Sequence, residues 1–579
     1  MSGITSKLSK LNPFGKAKVD DEDLGEKIEA DTIAGGGHAA RQTKITKEQL
    51  RVSHAIKKFL VDENILSRED VELDSDRTTH VLKEFLDKPH VDIPRALTDR
   101  SHPLTEYFIS SSHNTYLLAH QLYGTSSAVA YDTALKTGSR CVEIDAWDNA
   151  EHKDEPKVTH GYTLASHIPF RNVCEAIRDV VDFEASQPKL DTGYRAAPIL
   201  LSLENHCDSH GQLRLVQIMR EVWGDRLLSK PIRDKGTSEQ QDTGEHVTLA
   251  ELGSKIAVIV EYHLPNEPDS ESSSDEDEDE QVRQDHKAWR EQKKQAPDEG
   301  IIPELAELGV YAQSVKPNNH SWFESQLQDG PHHHLINVSE SGLLGLLPTA
   351  SDKVSKHNSQ HLMRVYPKGT RISSKNLNPV PFWGVGAQIC ALNWQTFDHS
   401  MQLNEALFAG SDGYVLKPAA LRAGGSGKLS TGRKTKLSLH IAGATDLSLP
   451  QDREADEIRP YVTCTLVHPD DIADEPPKRK TEAYKQHKIG MLHKGENPPN
   501  TDPFWNETLE WEYDENELSF LRILIKSDDK FARNPVFAVA AVRLLCVASG
   551  WSFVRLLDLK GRETHGTLLV KFDLKHTDT

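Results

Sequence analysis

Residues 199–206 read Ile199-Leu200-Leu201-Ser202-Leu203-Glu204-Asn205-His206. An apolar run that ends in a burst of polar groups is the pattern of a buried strand whose last residues leave the core. Two earlier segments repeat it: Tyr107-Phe108-Ile109-Ser110-Ser111-Ser112 runs into His113-Asn114, and Cys141-Val142-Glu143-Ile144-Asp145 runs into Trp147-Asp148. His160-Gly161-Tyr162-Thr163 follows shortly after. Two histidines, three carboxylates and one amide thus gather at strand ends, the composition of a hydrolytic site built around a hard cation.

Outward from these runs, strands at 107–111, 141–145, 199–203 and 256–260 alternate with helical stretches such as Val173 to Arg178. Such alternation predicts an α/β fold with parallel strands. Residues 264–300 break the pattern with SESSSDEDEDE (Ser270 to Glu280) and a Lys/Gln-rich tail, a block of like charge that stays unfolded. Strands resume at 335–338, 362–366, 387–393 and 413–417. The reading is a single barrel-type domain in two halves, 100–263 and 301–422, split by an acidic linker. A Gly/Ser joint over 423–432 follows, and the periodicity then drops to two, with Leu437, Leu439, Ile441 and Leu509, Trp511, Tyr513 alternating with polar residues. That predicts an antiparallel β-sandwich over 433–579.

The N-terminal 1–44 is polar and glycine-rich and predicted disordered. Over 45–99 a short helical module is expected. Thr46 would cap a first helix with Leu50, Ile56, Phe59 and Leu60 on one face, and Val81, Leu82, Phe85 and Leu86 mark a second. Asp74-x-Asp76 hints at a calcium loop between them, but Thr79 and Phe85 stand where such a loop needs glycine and glutamate.

Charge and composition exclude several function classes. With 88 acidic against 68 basic residues and a formal net charge of −20 among 579 residues, the chain is a poor nucleic-acid binder. A local basic patch facing an anionic membrane stays compatible with that total. No apolar run approaches the roughly 20 residues that span a bilayer. The opening Met1-Ser2-Gly3-Ile4 has no signal-peptide core, and Ser2 stands where myristoylation needs glycine. Six scattered cysteines without CxxC spacing read as reduced core thiols of a cytoplasmic protein. The triplet His332-His333-His334 reads as a solvated loop rather than a metal site.

Asn114, Glu143, Asp145 and Glu204 are all oxygen donors, which suits calcium or magnesium rather than zinc. Three crowded carboxylates repel unless a cation sits among them. His113 and His160 add groups that exchange protons near neutral pH. A divalent cation with two histidines suits attack at phosphorus.

At this point the chain resembles a family. SSSHNTY (Ser110 to Tyr116), CVEIDAWD (Cys141 to Asp148), HGYT (His160 to Thr163) and LSLENH (Leu201 to His206) are similar to the X half of eukaryotic phosphoinositide-specific phospholipase C. MRVYPKGTR (Met363 to Arg371), QICALNWQT (Gln388 to Thr396) and DGYVLKP (Asp412 to Pro418) resemble its Y half, and the sandwich falls where that family has its C2 domain. The resemblance covers roughly 100–579 and is to the small delta-like type, without room for a pleckstrin-homology domain. It implies a TIM-type (β/α)8 barrel followed by a C2 sandwich. It also implies a peripheral, monomeric, calcium-dependent enzyme that cleaves inositol phospholipid to diacylglycerol and an inositol phosphate.

In residue terms the resemblance implies that Asn114, Glu143, Asp145 and Glu204 bind one Ca²⁺, with Glu143 the general base toward the inositol 2-hydroxyl. His113 would stabilise phosphoryl charge and His160 would act as general acid toward the diacylglycerol oxygen. Ser339, Arg364 and Tyr366 match positions that contact the inositol headgroup. Leu122, Tyr162 and Leu164 match an apolar rim that meets the membrane.

Two departures stand out. The family carries two lysines near the end of the strand at 256–260, where this chain has Ile259 and Glu261. A carboxylate beside a polyanionic headgroup is unfavourable, so a preference for phosphatidylinositol or a monophosphorylated form over the bisphosphate is expected. In the C2 domain, Ser527 stands where the third calcium loop has its first aspartate and Asp529 keeps the second, which points to weak calcium affinity and a bracing role. The acidic linker reads either as a spacer or as a repeller of anionic lipid that phosphorylation of Ser272, Ser273 or Ser274 would strengthen. The lost lysines also leave open a catalytically weak lipid-binding scaffold.

Overall fold

The computed structural model describes residues 45 and 49–577, apart from 118–125, 160–166, 188–195, 234–245, 265–299, 318–320, 325–326, 328–329, 369–374, 450–452, 472–475, 488–496 and 529–535. The chain opens with helices α1 (His54–Asp62) and α2 (His80–Asp87). The cap of α1 is Ser53, whose hydroxyl accepts from Ile56 N, so the helix begins well after the expected Thr46. Thr79, the residue in the glycine position of the failed calcium loop, caps α2 through Leu82 N. The Lys57 ammonium donates to the carbonyls of Ser75 and Arg77 at 2.8 and 2.6 Å, a fixed side-chain cation on loop carbonyls.

Eight strands follow: β1 (Tyr107–Ser112), β2 (Cys141–Trp147), β3 (Ile199–His206), β4 (Ile256–Glu261), β5 (Gln313–Val315), β6 (His334–Ser339), β7 (Leu362–Tyr366) and β8 (Ile389–Leu392). Each pairs in parallel with the next, and β8 pairs in parallel with β1, which closes a barrel. Sequence reading missed β5, a three-residue strand with no apolar run. The segment predicted at 413–417 is β9 (Tyr414–Leu416), which pairs antiparallel with β1 from outside the ring. Helices such as α3 (Ala128–Lys136), α4 (Phe170–Ser186), α5 (Ser209–Trp223), α6 (Glu340–Asn358) and α7 (His399–Phe408) lie between strands.

Side-chain alternation positions the site. Along β2 the residues Cys141, Glu143 and Asp145 share one face, and the register sets them beside Leu200, Ser202 and Glu204 of β3. Cys141, Leu200, Ala257, Ile259, Leu335, Leu362 and Ile389 fill a buried cluster inside the barrel. The opposite residues, Val142, Ile144, Leu201, Leu203, Val258 and Val260, pack outward against α4 and α5 residues such as Ile177 and Leu215. Each inward row is therefore apolar at its start and polar at its carboxyl end.

Eight further strands form one antiparallel sheet folded over its own core: β10 (Lys434–Thr445), β11 (Pro460–Val467), β12 (Lys478–Lys480), β13 (Phe504–Asp514), β14 (Phe520–Ser527), β15 (Val536–Arg543), β16 (Trp551–Leu557) and β17 (Glu563–Thr577). The alternation read at Leu437, Leu439 and Ile441 holds, all three being buried. A single apolar cluster joins Trp383, Met401 and Phe408 of the barrel to Phe520, Leu524 and Val539 of the sheet. On another face Phe59 of α1 packs edge-on against Trp551 at 5.0 Å, and Phe85 of α2 against Phe553 at 5.6 Å. All six cysteines are buried free thiols. Among the described residues no helix is long and apolar enough to cross a membrane.

Candidate active site

The carboxyl ends of β2 and β3 bring Glu143, Asp145 and Glu204 together, with one oxygen of each within 4.8 Å of the others. Glu143 and Asp145 are buried, whereas the Glu204 side chain is 44 % exposed and faces the barrel mouth. Asp145 Oδ2 accepts from the Tyr116 hydroxyl at 2.5 Å, while Asp145 Oδ1 is buried without a hydrogen-bond partner. A buried carboxylate oxygen left unmatched, beside two other hard oxygen donors, fits a calcium-type cation. Burial first, then Glu204 and Glu143, push the Asp145 carboxyl well above the usual carboxylate range. Burial works against the charged form of Glu204 too, but His206 at 3.3 Å, with Lys316 and Arg364, holds it below that range.

Asn114 sits in the left-handed region at φ 44°, which asparagine tolerates better than most residues. Its backbone N–H donates to Glu143 Oε2 at 2.8 Å, and its amide oxygen accepts from the Tyr116 hydroxyl at 3.1 Å. Gln395 Nε2 donates to the Asn114 carbonyl at 3.2 Å. The other oxygen of Glu143 takes the Arg364 guanidinium at 2.6 Å. Arg364 also donates to Asn337 at 3.2 Å and lies 5.9 Å from the Tyr366 ring centre.

His113 Nδ1 lies 2.8 Å from Asn393 Oδ1, so Nδ1 carries the proton and Nε2 is left for other partners. Burial pushes its pKa down, against the pull of Glu143. Ser339 ends β6 in register with Tyr366, and its hydroxyl caps α6 by accepting from Gly342 N at 3.2 Å. Ile259 is buried in the inner cluster, and Glu261, two residues on, accepts from Asn205 N at 3.2 Å. In the sheet domain, the Ser527 hydroxyl accepts from Arg459 N at 3.1 Å.

His160, Leu122, Tyr162, Leu164, the linker serines Ser272, Ser273 and Ser274, and Asp529 lie outside the described residues. The expectation of a solvated histidine triplet is overturned for two of its three members: His333 and His334 are buried, because β6 begins at His334 and draws them into the barrel's closed end, whereas His332 is exposed. Sequence reasoning assigned no role to Tyr116, His206, Asn393 and Gln395, although each lies in a quoted motif. Each contacts one of the candidate site groups, and only the fold brings Asn393 to His113 across 280 residues.

Residues 100–262 match the X domain of phosphatidylinositol-specific phospholipase C, 305–420 its Y domain, and 435–556 a C2 domain. The chain is 31% identical over 497 residues to 1-phosphatidylinositol 4,5-bisphosphate phosphodiesterase delta-1 of Rattus norvegicus, covering 83% of this chain and 61% of that protein. It is 29% identical over 561 residues to 1-phosphatidylinositol 4,5-bisphosphate phosphodiesterase 1 of Candida albicans, covering 84% and 49%. This chain thus spans about half to three fifths of those two relatives' length. The crystal structure of L. pealei PLC21 superposes with a TM-score of 0.67 at 24% identity, over 94% of this chain and 65% of that one, a likeness of fold. With both halves of the barrel and the C2 sheet matched in order, the chain belongs to the phosphatidylinositol-specific phospholipase C family.

Proposed function

We propose that this protein is a calcium-dependent phosphoinositide phospholipase C that splits inositol phospholipid into diacylglycerol and an inositol phosphate through a cyclic phosphodiester. The observation that carries the reading is the inward cluster of Glu143, Asp145 and Glu204 with Asp145 Oδ1 unmatched, beside His113 and Arg364. Glu143, Asp145, Glu204 and Asn114 would hold Ca²⁺, whose chemistry there is to lower the pKa of the attacking hydroxyl and offset phosphoryl charge.

Glu143 is the candidate base toward the inositol 2-hydroxyl. Both its oxygens are already engaged, by Asn114 N and Arg364, but each keeps a second lone pair. His113, its Nδ1 fixed by Asn393, presents Nε2, which donates to phosphoryl oxygen once protonated. His160 is assigned general acid by its motif alone. Arg364 and Tyr366 face the headgroup side, whereas Ser339 already serves as a helix cap, so its headgroup contact is the weakest of these assignments.

The two relatives above are named for the 4,5-bisphosphate. For this chain we assign a preference for phosphatidylinositol or a monophosphate, on Glu261 at the strand end and on the apolar, buried Ile259 where the family carries a lysine. We further assign a cytoplasmic, monomeric protein that works at the membrane surface, with 1–44 and 264–300 as tail and linker and the C2 sheet as a brace. A weak scaffold role is not favoured, since the cation and histidine set is retained. Phosphorus NMR of the reaction on phosphatidylinositol vesicles tests the reading. A cyclic inositol phosphate appearing before the open monoester is expected, and a product still esterified to glycerol would overturn it.

A further inference from the structure

The mouth of the barrel carries a cation that the proposed chemistry does not use. Lys316 directly follows β5, and side-chain alternation fixes its direction. Ala312 belongs to the apolar cluster inside the barrel, whereas Val315 packs outward in one cluster with Leu343 and Leu347 of α6. Ala312, Ser314 and Lys316 therefore turn inward, as Ala257, Ile259 and Glu261 do on β4. Ala312 ends the apolar interior, and Lys316 stands beyond it on the carboxyl side, where the site lies.

The register carries the placement further. β5 pairs Val315 with Ile336 of β6, so the next residue, Lys316, is level with Asn337. β6 in turn pairs Asn337 with Arg364 of β7. Leu335 lies in the inner cluster and Ile336 in the outer one, so Asn337 also faces inward, and its amide oxygen accepts from Arg364 at 3.2 Å. Lysine, amide and guanidinium thus form one inward row across three adjacent strands, each about 4.8 Å from the next. On the other side β4 pairs Glu261 with Ser314, which sets Glu261 one strand away from Lys316 and two residues deeper. Lys316 is partly buried, and its charge reaches Glu204, where it adds to that of His206.

The Arg364 guanidinium is committed to Glu143 at 2.6 Å. With Glu204 given to calcium in the reading above, the Lys316 charge faces the headgroup. We propose that Lys316 is a specificity-determining residue that binds the single ring phosphate of a monophosphorylated inositol lipid. The inference rests on the phospholipase reading and names its substrate class, the monophosphate ahead of phosphatidylinositol. An ammonium is a compact charge with three donors, and its hydrogen bonds to phosphate oxygen are charge-assisted. Glu261 sets the limit. One lysine beside one carboxylate accommodates one phosphate, and a second phosphate meets the carboxylate, so the same two residues disfavour the bisphosphate.

The test presents phosphatidylinositol, its 4-phosphate and its 5-phosphate to the full chain in mixed micelles, at equal calcium and equal surface concentration. One of the monophosphates is expected to be cleaved with a higher kcat/KM than phosphatidylinositol. Lys316→Met is expected to lower that ratio at least about tenfold, and Lys316→Arg to keep most of it. Lys353→Met, which removes an exposed lysine from the outer face of α6, is expected to leave the ratio unchanged. Equal loss on both lipids, the mark of a lysine that only steadies Glu204, overturns the proposal, and so does a ratio that Lys316→Met does not lower. In both of those cases the phospholipase reading stands, because phosphatidylinositol is still cleaved by the unaltered chain. An unaltered chain that cleaves none of the three lipids overturns that reading and this proposal with it.

Discussion

The guanidinium of Arg364 on β7 meets Glu143 of β2 at 2.6 Å across the barrel, with both side chains 5 % exposed. Burial disfavours the cation, and Glu143 together with Cys141, Glu204 and Tyr366 more than offsets it. Removing one member of such a pair leaves a charge buried alone, a cost of roughly 3–5 kcal/mol. Arg364→Met is therefore predicted to lose about that much stability in urea unfolding and at least ~100-fold in turnover. Arg364→Lys is predicted to recover most of the stability but not the turnover, since Lys lacks the fork that also reaches Asn337.

Asp145 supplies a pH prediction. Its carboxyl is raised by burial and by Glu204 and Glu143, so the cation-free fold binds a proton there more readily than the unfolded chain does. A raised folded pKa stabilises fully below the unfolded value and is lost as pH rises through the folded one. Calorimetry in buffers of different ionisation heat is predicted to show proton release on calcium binding that grows as the pH is lowered, with apparent affinity falling on acidification. Asp145→Asn is predicted to abolish that release; release undiminished in the variant would contradict the assignment.

Headgroup choice is best probed at Glu261 rather than Ile259. Ile259 lies in the barrel's apolar interior, so Ile259→Lys is predicted to destabilise by several kcal/mol and to say little about recognition. Glu261, at the strand end and partly exposed, tolerates exchange. Glu261→Lys is predicted to raise the ratio of bisphosphate to phosphatidylinositol turnover about tenfold or more in mixed micelles, because it turns repulsion into attraction. An unchanged ratio would remove Glu261 from headgroup selection.

The barrel and C2 sheet share one apolar cluster, in which Trp383 and Phe520 rings lie 5.9 Å apart. Phe520→Ala is predicted to cost about 3–5 kcal/mol and to lower a single unfolding transition of both domains. Two separated transitions in the unaltered chain would show that the two domains unfold independently.

Much of this architecture is legible in the sequence because buried parallel strands are long apolar runs, as at Ile199 to Leu203 and Ile256 to Val260. β5 was not, since Gln313-Ser314-Val315 is three residues long and carries a single apolar side chain, too short a run to mark a strand. The inward carboxylates were legible because period two turns Glu143 and Asp145 to the same side. Their supports were not: nothing local in Tyr116 or Asn393 says that it will hold Asp145 or His113. The histidine triplet was misread because hydropathy marks imidazoles as polar, whereas neutral rings stack and bury readily.

The central claim is that the inward carboxylates bind the calcium that the reaction needs. Its most direct test is diacylglycerol release from phosphatidylinositol vesicles across a calcium titration, with the unaltered chain and Glu204→Gln side by side. The account predicts no release in excess chelator, saturable activation in the unaltered chain, and a half-activating calcium concentration at least about tenfold higher in Glu204→Gln. Release that persists in chelator, or titrations that coincide for the two proteins, would contradict it.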